Sequence, residues 1–490
     1  MGYAENAYLF RHAMMRLAAY ELQPPLERSE LHAHAFAIIE ALPHDDPDAF
    51  AFELAGHARD AALALPDERK RQQMSEREAG WLNRAMQRAR TNNNYRIALE
   101  CAERLLANEA AEVAARHGAA ILGAEMCASL GEFPRVPELL KRAEELHNDA
   151  DPTLRANWIL SHVNAVLLPK REYDNAIALI QESLRISRDA GERLTEARAT
   201  GYLGNVMARL DRRKEAIECY TKSEALFREL NHMRGLSTSR GNLGLMYRYF
   251  GDNDNAESAY REALRIDREI GNREGIARHL GNLGVLYRET RREQQALELF
   301  DECGDLFREL GDRTGWMRNA INHATCYESI GQFHRAVALY QSAERIAVEC
   351  GLPHDTADCQ YYRGAALLRL NDTVRGEPVM ELSALGYEKQ GAAREAAEVW
   401  EELAESAAAR EENEAVLRYT TAALQNFKAA GIDPGFGLLA RHAETALGAD
   451  RFSEAAQAAR GALEIGSNED PIRLAMLKAI AKKGQASSAT

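Results

Sequence analysis

Residues that could do chemistry are few and scattered in this 490-residue sequence. The stretch HDDPD at 44–48 gathers one histidine and three aspartates, a composition that could bind a metal ion. It directly precedes a predicted helix, however, and an Asp before a Pro at a helix start is an ordinary cap. We therefore interpret HDDPD as a capping segment rather than a metal site.

Other candidate residues lack the partners that a catalytic or cofactor site requires. His32 and His34 are two residues apart, so a helix would point them in different directions. The GFG at 435–437 follows no predicted strand and lacks the rest of a dinucleotide fingerprint. Glu401 and Glu402 are adjacent in sequence rather than convergent. The sequence thus predicts a non-enzymatic protein with no catalytic residues, no cofactor and no metal.

One set of polar side chains recurs at a fixed interval. Asn242, Asn282 and Asn322 are forty residues apart, and Arg278 and Arg318 each stand four residues before one of them. Residues four apart lie on the same face of a helix, so each Arg–Asn pair would share one stripe. What these amide and guanidinium groups can bind depends on the elements that carry them.

The central part of the chain repeats at the same forty-residue interval. We take Gly244 as the reference position of one repeat, and its equivalents as the reference positions of the others. An alanine stands twelve residues after each reference position, and a large side chain stands four residues after that alanine. The alanines are Ala176, Ala216, Ala256, Ala296 and Ala336, and the large residues are Ile180, Tyr220, Tyr260, Phe300 and Tyr340. Small residues opposite large ones let two antiparallel helices interlock. Each repeat is therefore predicted to be a helical hairpin.

The joints between hairpins follow the same period. Each helical run ends at a Gly or an Asn, the two residues that best accept a left-handed backbone conformation. These residues are Gly191, Asn231, Gly271, Gly311 and Gly351. The second helix of each hairpin is predicted to end there.

This pattern resembles the tetratricopeptide repeat. The first helix carries GNLG followed by a Tyr, and the second carries an Ala, then a Tyr or Phe, then another Ala. The spacing and the GDR or GNR joints are similar to the longer variant in LGN-type adaptors and bacterial tetratricopeptide regulators. The resemblance implies an all-α fold, a right-handed α-solenoid of antiparallel helical hairpins without a sheet. First helices would line its concave side and second helices its convex side.

The strength of the resemblance divides the chain into five predicted segments. They are a helical cap or divergent hairpins at 1–80, divergent hairpins at 81–155, the regular array at 156–350, degenerate hairpins at 351–480 and a flexible tail at 481–490. Within 361–390 the pattern is lost, because Gly376 and Met380 replace the expected alanine and aromatic residue.

The resemblance also implies a binding site. In peptide-binding members of the family, Asn side chains in the groove hold the ligand backbone, and neighbouring Lys or Arg side chains hold its carboxylates. Carried over to this sequence, those roles fall to Asn242, Asn282, Asn322, Arg278, Arg318, Arg198, Arg248 and Arg288. The same Asn side chains could instead bond across to the neighbouring hairpin, which would make them structural.

Composition argues against several other classes of partner. The formal net charge of −14 disfavours nucleic-acid binding, and no uncharged apolar run is long enough to span a membrane. Seven cysteines without a CxxC pair indicate reduced thiols in a cytoplasmic protein.

Taken together, these features predict an interaction scaffold that holds a peptide segment of a partner protein, acidic or carboxylate-bearing, in its concave groove. Homo-oligomerisation stays open. The alternative is a peptide-responsive regulatory sensor that controls a partner enzyme or transcription factor.

Overall fold

All regular structure is helical in the part of the chain that the computed structural model describes, which is residues 20–42, 46, 48–91, 94–146, 151–466 and 471–487. The helices up to the regular array are α1 Pro25–Ala41, α2 Ala51–Ala62, α3 Glu68–Thr91, α4 Tyr95–Ala107, α5 Val113–Leu130, α6 Val136–Leu146 and α7 Pro152–His162. Those of the array are α8 Tyr173–Asp189, α9 Arg193–Arg209, α10 Arg213–Glu229, α11 Met233–Tyr249, α12 Asn253–Glu269, α13 Arg273–Glu289, α14 Glu293–Leu310, α15 Arg313–Ser329 and α16 Phe333–Glu349. The remainder are α17 Pro353–Arg369, α18 Thr373–Lys389, α19 Ala393–Ala409, α20 Asn413–Ala430, α21 Phe436–Gly448, α22 Phe452–Ile465 and α23 Pro471–Ser487.

Consecutive helices pack in pairs, as α9 with α10, α11 with α12 and α17 with α18. The predicted all-α class and the solenoid of helical hairpins are confirmed. The helices form two compact units, of which unit 1 contains residues up to 286 with 302–315, and unit 2 contains 287–301 with residues from 316 onward.

The predicted joints are confirmed by their backbone conformation. Gly191, Asn231, Gly271, Gly311 and Gly351 all have positive φ, between 51° and 72°. A positive φ ends a helix because it turns the chain out of the right-handed spiral. Each joint therefore separates a second helix from the first helix of the next hairpin.

Inside a hairpin, the glycine of the first helix receives the large residue of the second. A Cβ placed on Gly244 would lie 2.8 Å from Cε1 of Tyr260, and one on Gly204 would lie 2.7 Å from Cε1 of Tyr220. Both tyrosines are buried, and Ala256 next to Tyr260 has no exposed surface. Close approach of the two helices therefore requires glycine at these positions.

First helices of successive hairpins in unit 1 also contact one another, α5 with α7, α7 with α9 and α9 with α11. In a curved stack of hairpins, the elements on the inner side approach more closely than those on the outer side. The first helices therefore line the concave side of unit 1.

The largest apolar core of unit 1 extends from the N-terminal hairpins to the end of α14. It contains Leu82, Leu105 and Ile159, and it also includes Leu310, with Phe307 packed against it. Burial raises the pKa of Tyr95, at the start of α4, and the carboxylates of Glu274 and Asp312 act in the same direction. Residues that are distant in sequence therefore meet within unit 1. We call the packing of Leu310 and Phe307 with the core of the N-terminal hairpins the closing contact.

In unit 2 the hairpin packing persists where the sequence pattern is lost. Met380 is fully buried and takes the place of the aromatic residue, and a Cβ on Gly364 would lie 2.4 Å from its Cγ. Unbranched methionine fills irregular space well. Separate apolar cores then surround Trp400 with Leu403, and Ala443 with Ala459.

Candidate functional site

Polar side chains on the concave first helices of unit 1 join neighbouring hairpins by hydrogen bonds. One guanidinium N–H of Arg198 on α9 donates to Oδ1 of Asn157 on α7 at 3.2 Å. Tyr202 lies one turn further along α9. Burial raises the pKa of its phenol, and the Arg198 guanidinium opposes that rise. These three side chains form the first step of a polar ladder.

The second step joins α9 to α11. Nδ2 of Asn242 donates to Oδ1 of Asn205 at 3.3 Å, and the hydroxyl of Tyr220 donates to the same oxygen at 2.8 Å. Asn242 is half-buried. It therefore bonds across to the neighbouring hairpin, as one of the two sequence interpretations expected.

The third step joins α11 to α13. An N–H of Arg278 donates to Oγ1 of Thr238 at 3.2 Å, and the Arg278 side chain is exposed. A guanidinium carries five N–H donors, so one bond to a hydroxyl leaves most of them directed to solvent. Asn282, one turn beyond Arg278 on α13, is half-buried. We call Arg198, Asn205, Asn242, Arg278 and Asn282 the unit 1 ladder.

The structure does not bring all the predicted site residues into one unit. Arg248 of unit 1 lies over the ring of Tyr249 at 5.0 Å from its centroid, near the end of α11. The remaining three belong to unit 2, and they are Arg288, Arg318 and Asn322. Their predicted role in binding stays a prediction.

Further along unit 2, the register positions of these arginines and asparagines carry carboxylates instead. Asp358 and Glu398 stand forty and eighty residues after Arg318, and Glu402 stands eighty residues after Asn322. Burial raises the pKa of Asp355, one turn before Asp358, and the Asp358 carboxylate acts in the same direction. The first helices of unit 2 therefore change from basic to acidic along the chain.

Sequence reasoning missed Asn205, a member of the ladder, and Asn157, which accepts the hydrogen bond of Arg198. Asn205 is 37 residues from Asn242, which is three less than one repeat. Three residues are about one helical turn, so an offset of this size brings two neighbouring inclined helices into register. A search for polar residues one turn away from the forty-residue position would have found Asn205.

The other constellations do not assemble a site. Asp46 and Asp48 of HDDPD form ion pairs with Arg88 and Arg84 of α3, while residues 43–45 and 47 lie outside the described part of the chain. His32 bonds the ring of His57, Nδ1 to Nδ1, at 2.8 Å. Within the described ranges, no three His, Cys, Asp or Glu side chains are grouped as a metal ion would require.

Two further features concern the described residues as a whole. All seven cysteines are unpaired, and all except the half-buried Cys219 are buried. None of the described helices combines the length and the apolar character that crossing a bilayer demands.

Comparison with known families agrees with the hairpin geometry. The tetratricopeptide repeat family model matches residues 156–229 and 235–309. At residues 156–229 and 235–309, the chain contains tetratricopeptide repeats. All five residues of the unit 1 ladder lie within the matched ranges, so the ladder belongs to tetratricopeptide repeats. No curated protein matches the full sequence.

Several solved structures have similar helical arrangements. A Rap protein complexed with competence and sporulation factor is 12% identical and covers 76% of this chain and 99% of its own, with a TM-score of 0.46. The apo form of the quorum sensor NprR from B. thuringiensis is 16% identical over 69% of this chain and 98% of its own, with a TM-score of 0.45. BtubC (BKLC) from P. vanneervenii is 19% identical over 45% of this chain and 91% of its own, with a TM-score of 0.40. Similarity at this level carries no argument about the function of this chain.

Proposed function

We propose that the unit 1 ladder binds an extended segment of another protein that carries acidic side chains or a free carboxylate. The chain would then act as a non-enzymatic interaction scaffold. The observation that carries this proposal is the continuous row of amide and guanidinium groups on the concave first helices, which leads to the exposed Arg278. An amide offers a donor and an acceptor to an extended backbone, and a guanidinium offers a planar fork to a carboxylate.

Charge along the first helices supports an acidic ligand for unit 1. The chain as a whole carries a net charge of −14, yet Arg198 and Arg278 stand on the inner helices of this unit. The carboxylates at the corresponding positions of α17 and α19 would repel the same ligand. Selectivity would thus come from attraction of the acidic ligand to the arginines of unit 1 and its repulsion by the carboxylates of α17 and α19.

The hydrogen bonds that the ladder side chains make to neighbouring helices favour binding rather than oppose it. They hold the side chains in one geometry before the ligand arrives, so less side-chain entropy is lost on association. An extended ligand still loses its own conformational freedom, which gives an expected affinity of about micromolar. Salt should weaken binding because exposed ion pairs are screened.

The test uses an immobilised library of short acidic and neutral peptides, each with a free or an amidated C-terminus. The labelled full-length protein is applied at low and high salt. We expect the acidic peptides, or the peptides with a free C-terminus, to be retained at low salt. Arg198→Glu with Arg278→Glu should abolish that retention.

A matched control changes two arginines on the second helix α12. Arg265 and Arg268 have 60% and 55% of their side chains exposed, and changing both to Glu alters the net charge equally. The control should bind peptides like the parent protein. Equal loss in both double variants, or no loss in either, contradicts binding at the ladder.

The closing contact favours a second candidate function, a peptide-responsive sensor. A ligand that alters the curvature of unit 1 would change the packing of Leu310 and Phe307 against the N-terminal core, because these residues meet only through the stacking of many hairpins. Hydrogen exchange at residues 94–96 and 307–312, measured with and without a peptide selected from the library, tests this. Unchanged exchange in both segments on saturation with peptide argues for a passive scaffold.

A further inference from the structure

Where α11, α12 and α13 meet, unit 1 buries a polar cluster. Asp267 of α12 pairs with His279 of α13, and the hydroxyl of Ser237 of α11 contacts both. We call Ser237, Asp267 and His279 the buried clasp. The same three positions carry Ala197, Phe227 and Ser239 one repeat earlier, and Ala277, Phe307 and Asn319 one repeat later.

Asp267 fills a space that takes a phenylalanine in the preceding repeat. A Cβ on Gly275 would collide with the Asp267 carboxylate, as one on Gly235 would collide with the Phe227 ring. Apolar packing of that space is thus available to this fold. A buried charged pair contributes little net stability compared with well-packed apolar residues, and its best-attested use is in register or switching. The clasp therefore points to a conformational role rather than to a gain in stability.

The hydrogen bonds of the clasp favour the neutral form of His279. The Asp267 carboxylate only accepts hydrogen bonds, so Nε2 of His279 carries the hydrogen that faces it. Nδ1 has no hydrogen-bond partner in the described part of the chain, and a Cβ on Gly241 of α11 would lie 2.7 Å from it. A second proton, at Nδ1, would therefore place a buried N–H against α11 without an acceptor, which is costly. The ring would have to leave this position to satisfy that N–H.

The charged groups around His279 come from two helices. Burial lowers the pKa of His279, Asp267 of α12 opposes that shift, and Arg278 of α13 adds to it. Helix α11 contributes the neutral Ser237 and Gly241. The folded protein therefore keeps His279 neutral near pH 7, and the ring takes up a second proton only on acidification.

The clasp lies directly beneath the third step of the unit 1 ladder. Ser237 and His279 are the immediate sequence neighbours of Thr238 and Arg278, whose side chains form that step at 3.2 Å. Successive residues of a helix point in different directions, so one pair lies in the core and the other on the concave surface. Helices α11 and α13 are thus joined twice, once in the core and once at the surface proposed for binding.

We propose that the buried clasp is an acid-sensitive regulator of the unit 1 ladder. Protonation of His279 opens the clasp, loosens the contact between α11 and α13, and breaks the step between Thr238 and Arg278. The guanidinium then loses the position from which it contacts an acidic ligand, so acid should weaken binding. This regulation rests on the proposed function of the ladder, whereas the opening of the clasp does not.

The first experiment follows the opening without a ligand, in the full-length protein. Ring NMR of labelled histidines reports the protonation of His279 between about pH 7.5 and about pH 5, and hydrogen exchange reports the protection of α11 and α13. After correction for the chemical exchange rate, protection of both helices should fall about fivefold or more as His279 takes up its proton, while that of α16 stays constant. The proposal is overturned if His279 titrates without this loss of protection, or if it stays neutral throughout the range.

A matched variant replaces the clasp by the residue types of the preceding repeat, as Ser237→Ala with Asp267→Phe and His279→Ser. Thermal melting verifies that it is folded, and the NMR signal that it lacks identifies His279. Its helices α11 and α13 should keep their protection over the whole pH range, and loss of protection like that of the parent overturns the proposal. If this variant does not fold, His279→Asn takes its place, because Asn cannot take up the proton. His334→Ser changes an exposed histidine of α16 and should behave like the parent.

The second experiment measures the affinity for an acidic peptide retained by the library, at the same pH values. Asp and Glu side chains stay largely ionised down to about pH 5, so the peptide keeps its charge. The parent should bind about fivefold or more weakly at the acidic end of the range, and the variant without the clasp should bind equally at both ends. Constant or rising affinity of the parent on acidification, or an equal loss in the variant, overturns regulation through the clasp. If the parent retains no peptide at any pH, the proposed function fails, and the first experiment still decides whether the clasp opens.

Discussion

Nε2 of His279 lies 3.2 Å from Oδ2 of Asp267, and only 1% and 0% of these two side chains are exposed. The same carboxylate accepts hydrogen bonds from Ser237 at 2.7 Å and from Asn272 at 2.7 Å. Burial raises the pKa of Asp267, but the hydrogen bonds from His279, Ser237 and Asn272 outweigh it and hold the pKa below its ordinary value. The charged Asp267 carboxylate is thus stabilised by hydrogen bonds where three helices, α11, α12 and α13, meet.

This buried pair makes the stability of the protein sensitive to acid. Burial lowers the pKa of His279 below its ordinary value of 6.5, despite the opposing effect of its hydrogen bond to the Asp267 carboxylate. As the pH falls below 6.5, the unfolded chain binds a proton that the folded protein excludes, so stability decreases until the folded pKa is reached. We expect thermal melts between about pH 7 and pH 5 to show a loss of stability that comes from this residue.

His279→Asn should be less stable than the parent at neutral pH but should lose less stability on acidification. His334→Asn changes an exposed histidine of α16 and should keep the pH dependence of the parent. If His279→Asn and the parent show the same dependence of stability on pH, the folded protein does not favour the neutral form of His279.

Overpacking a hairpin should destabilise the array. Gly244→Leu inserts a side chain where a Cβ alone would lie 2.8 Å from the Tyr260 ring, so we expect a loss of about 1–3 kcal/mol or more. Gly118→Leu is the matched control, because that helical glycine has open space around it. The control should gain about 0.5–1 kcal/mol from helix propensity. Chemical denaturation measures both, and equal midpoints would refute the packing described for Gly244.

A joint should be damaged by a branched side chain. Gly271 has a φ of 66° and no neighbouring atoms within contact of a Cβ, so Gly271→Val tests backbone strain alone. The expected cost is about 1–3 kcal/mol. Asn231→Gly, at the equivalent joint with a φ of 51°, should leave the midpoint nearly unchanged or raise it slightly. A Gly271→Val protein that unfolds at the parent midpoint would show that this joint tolerates other conformations.

Thiol reactivity should be confined to one cysteine in the native protein. Burial raises the pKa of Cys101, Cys303 and Cys359 to about 12, and that of Cys127 to about 11. Burial also raises the pKa of Cys219, but this thiol alone is half-buried and therefore accessible to a reagent. A chromogenic disulfide reagent near neutral pH should therefore react first with Cys219, and Cys219→Ser should remove the early phase. Rapid modification of several thiols before unfolding would contradict the burial of the others.

Much of the fold could be predicted from the sequence because the forty-residue register depends on local rules. A left-handed joint needs Gly or Asn, as at Asn231, and a close helical crossing needs a small residue, as at Gly244. The register did not predict that hairpin packing would persist with Met380 in the aromatic position, because it does not show which other residue types can fill the same volume.

The candidate site was predictable only as a set of residue types on the correct helices. The sequence places Asn242 and Arg278 on first helices, but the partner of Asn242, Asn205, depends on how neighbouring helices are staggered. The closing contact was beyond sequence reasoning altogether. It depends on the curvature accumulated over many hairpins, and no pair of adjacent repeats encodes that curvature separately.

The closing contact also changes how unit 1 should unfold. An open array of repeats contacts only its nearest neighbours, so its ends can fray without affecting its middle. In unit 1, the core that contains Leu105 also includes Leu310, so the loss of either end removes contacts from the other. Unit 1 should therefore unfold as one cooperative body with a slow, non-local folding step, rather than by stepwise loss of repeats.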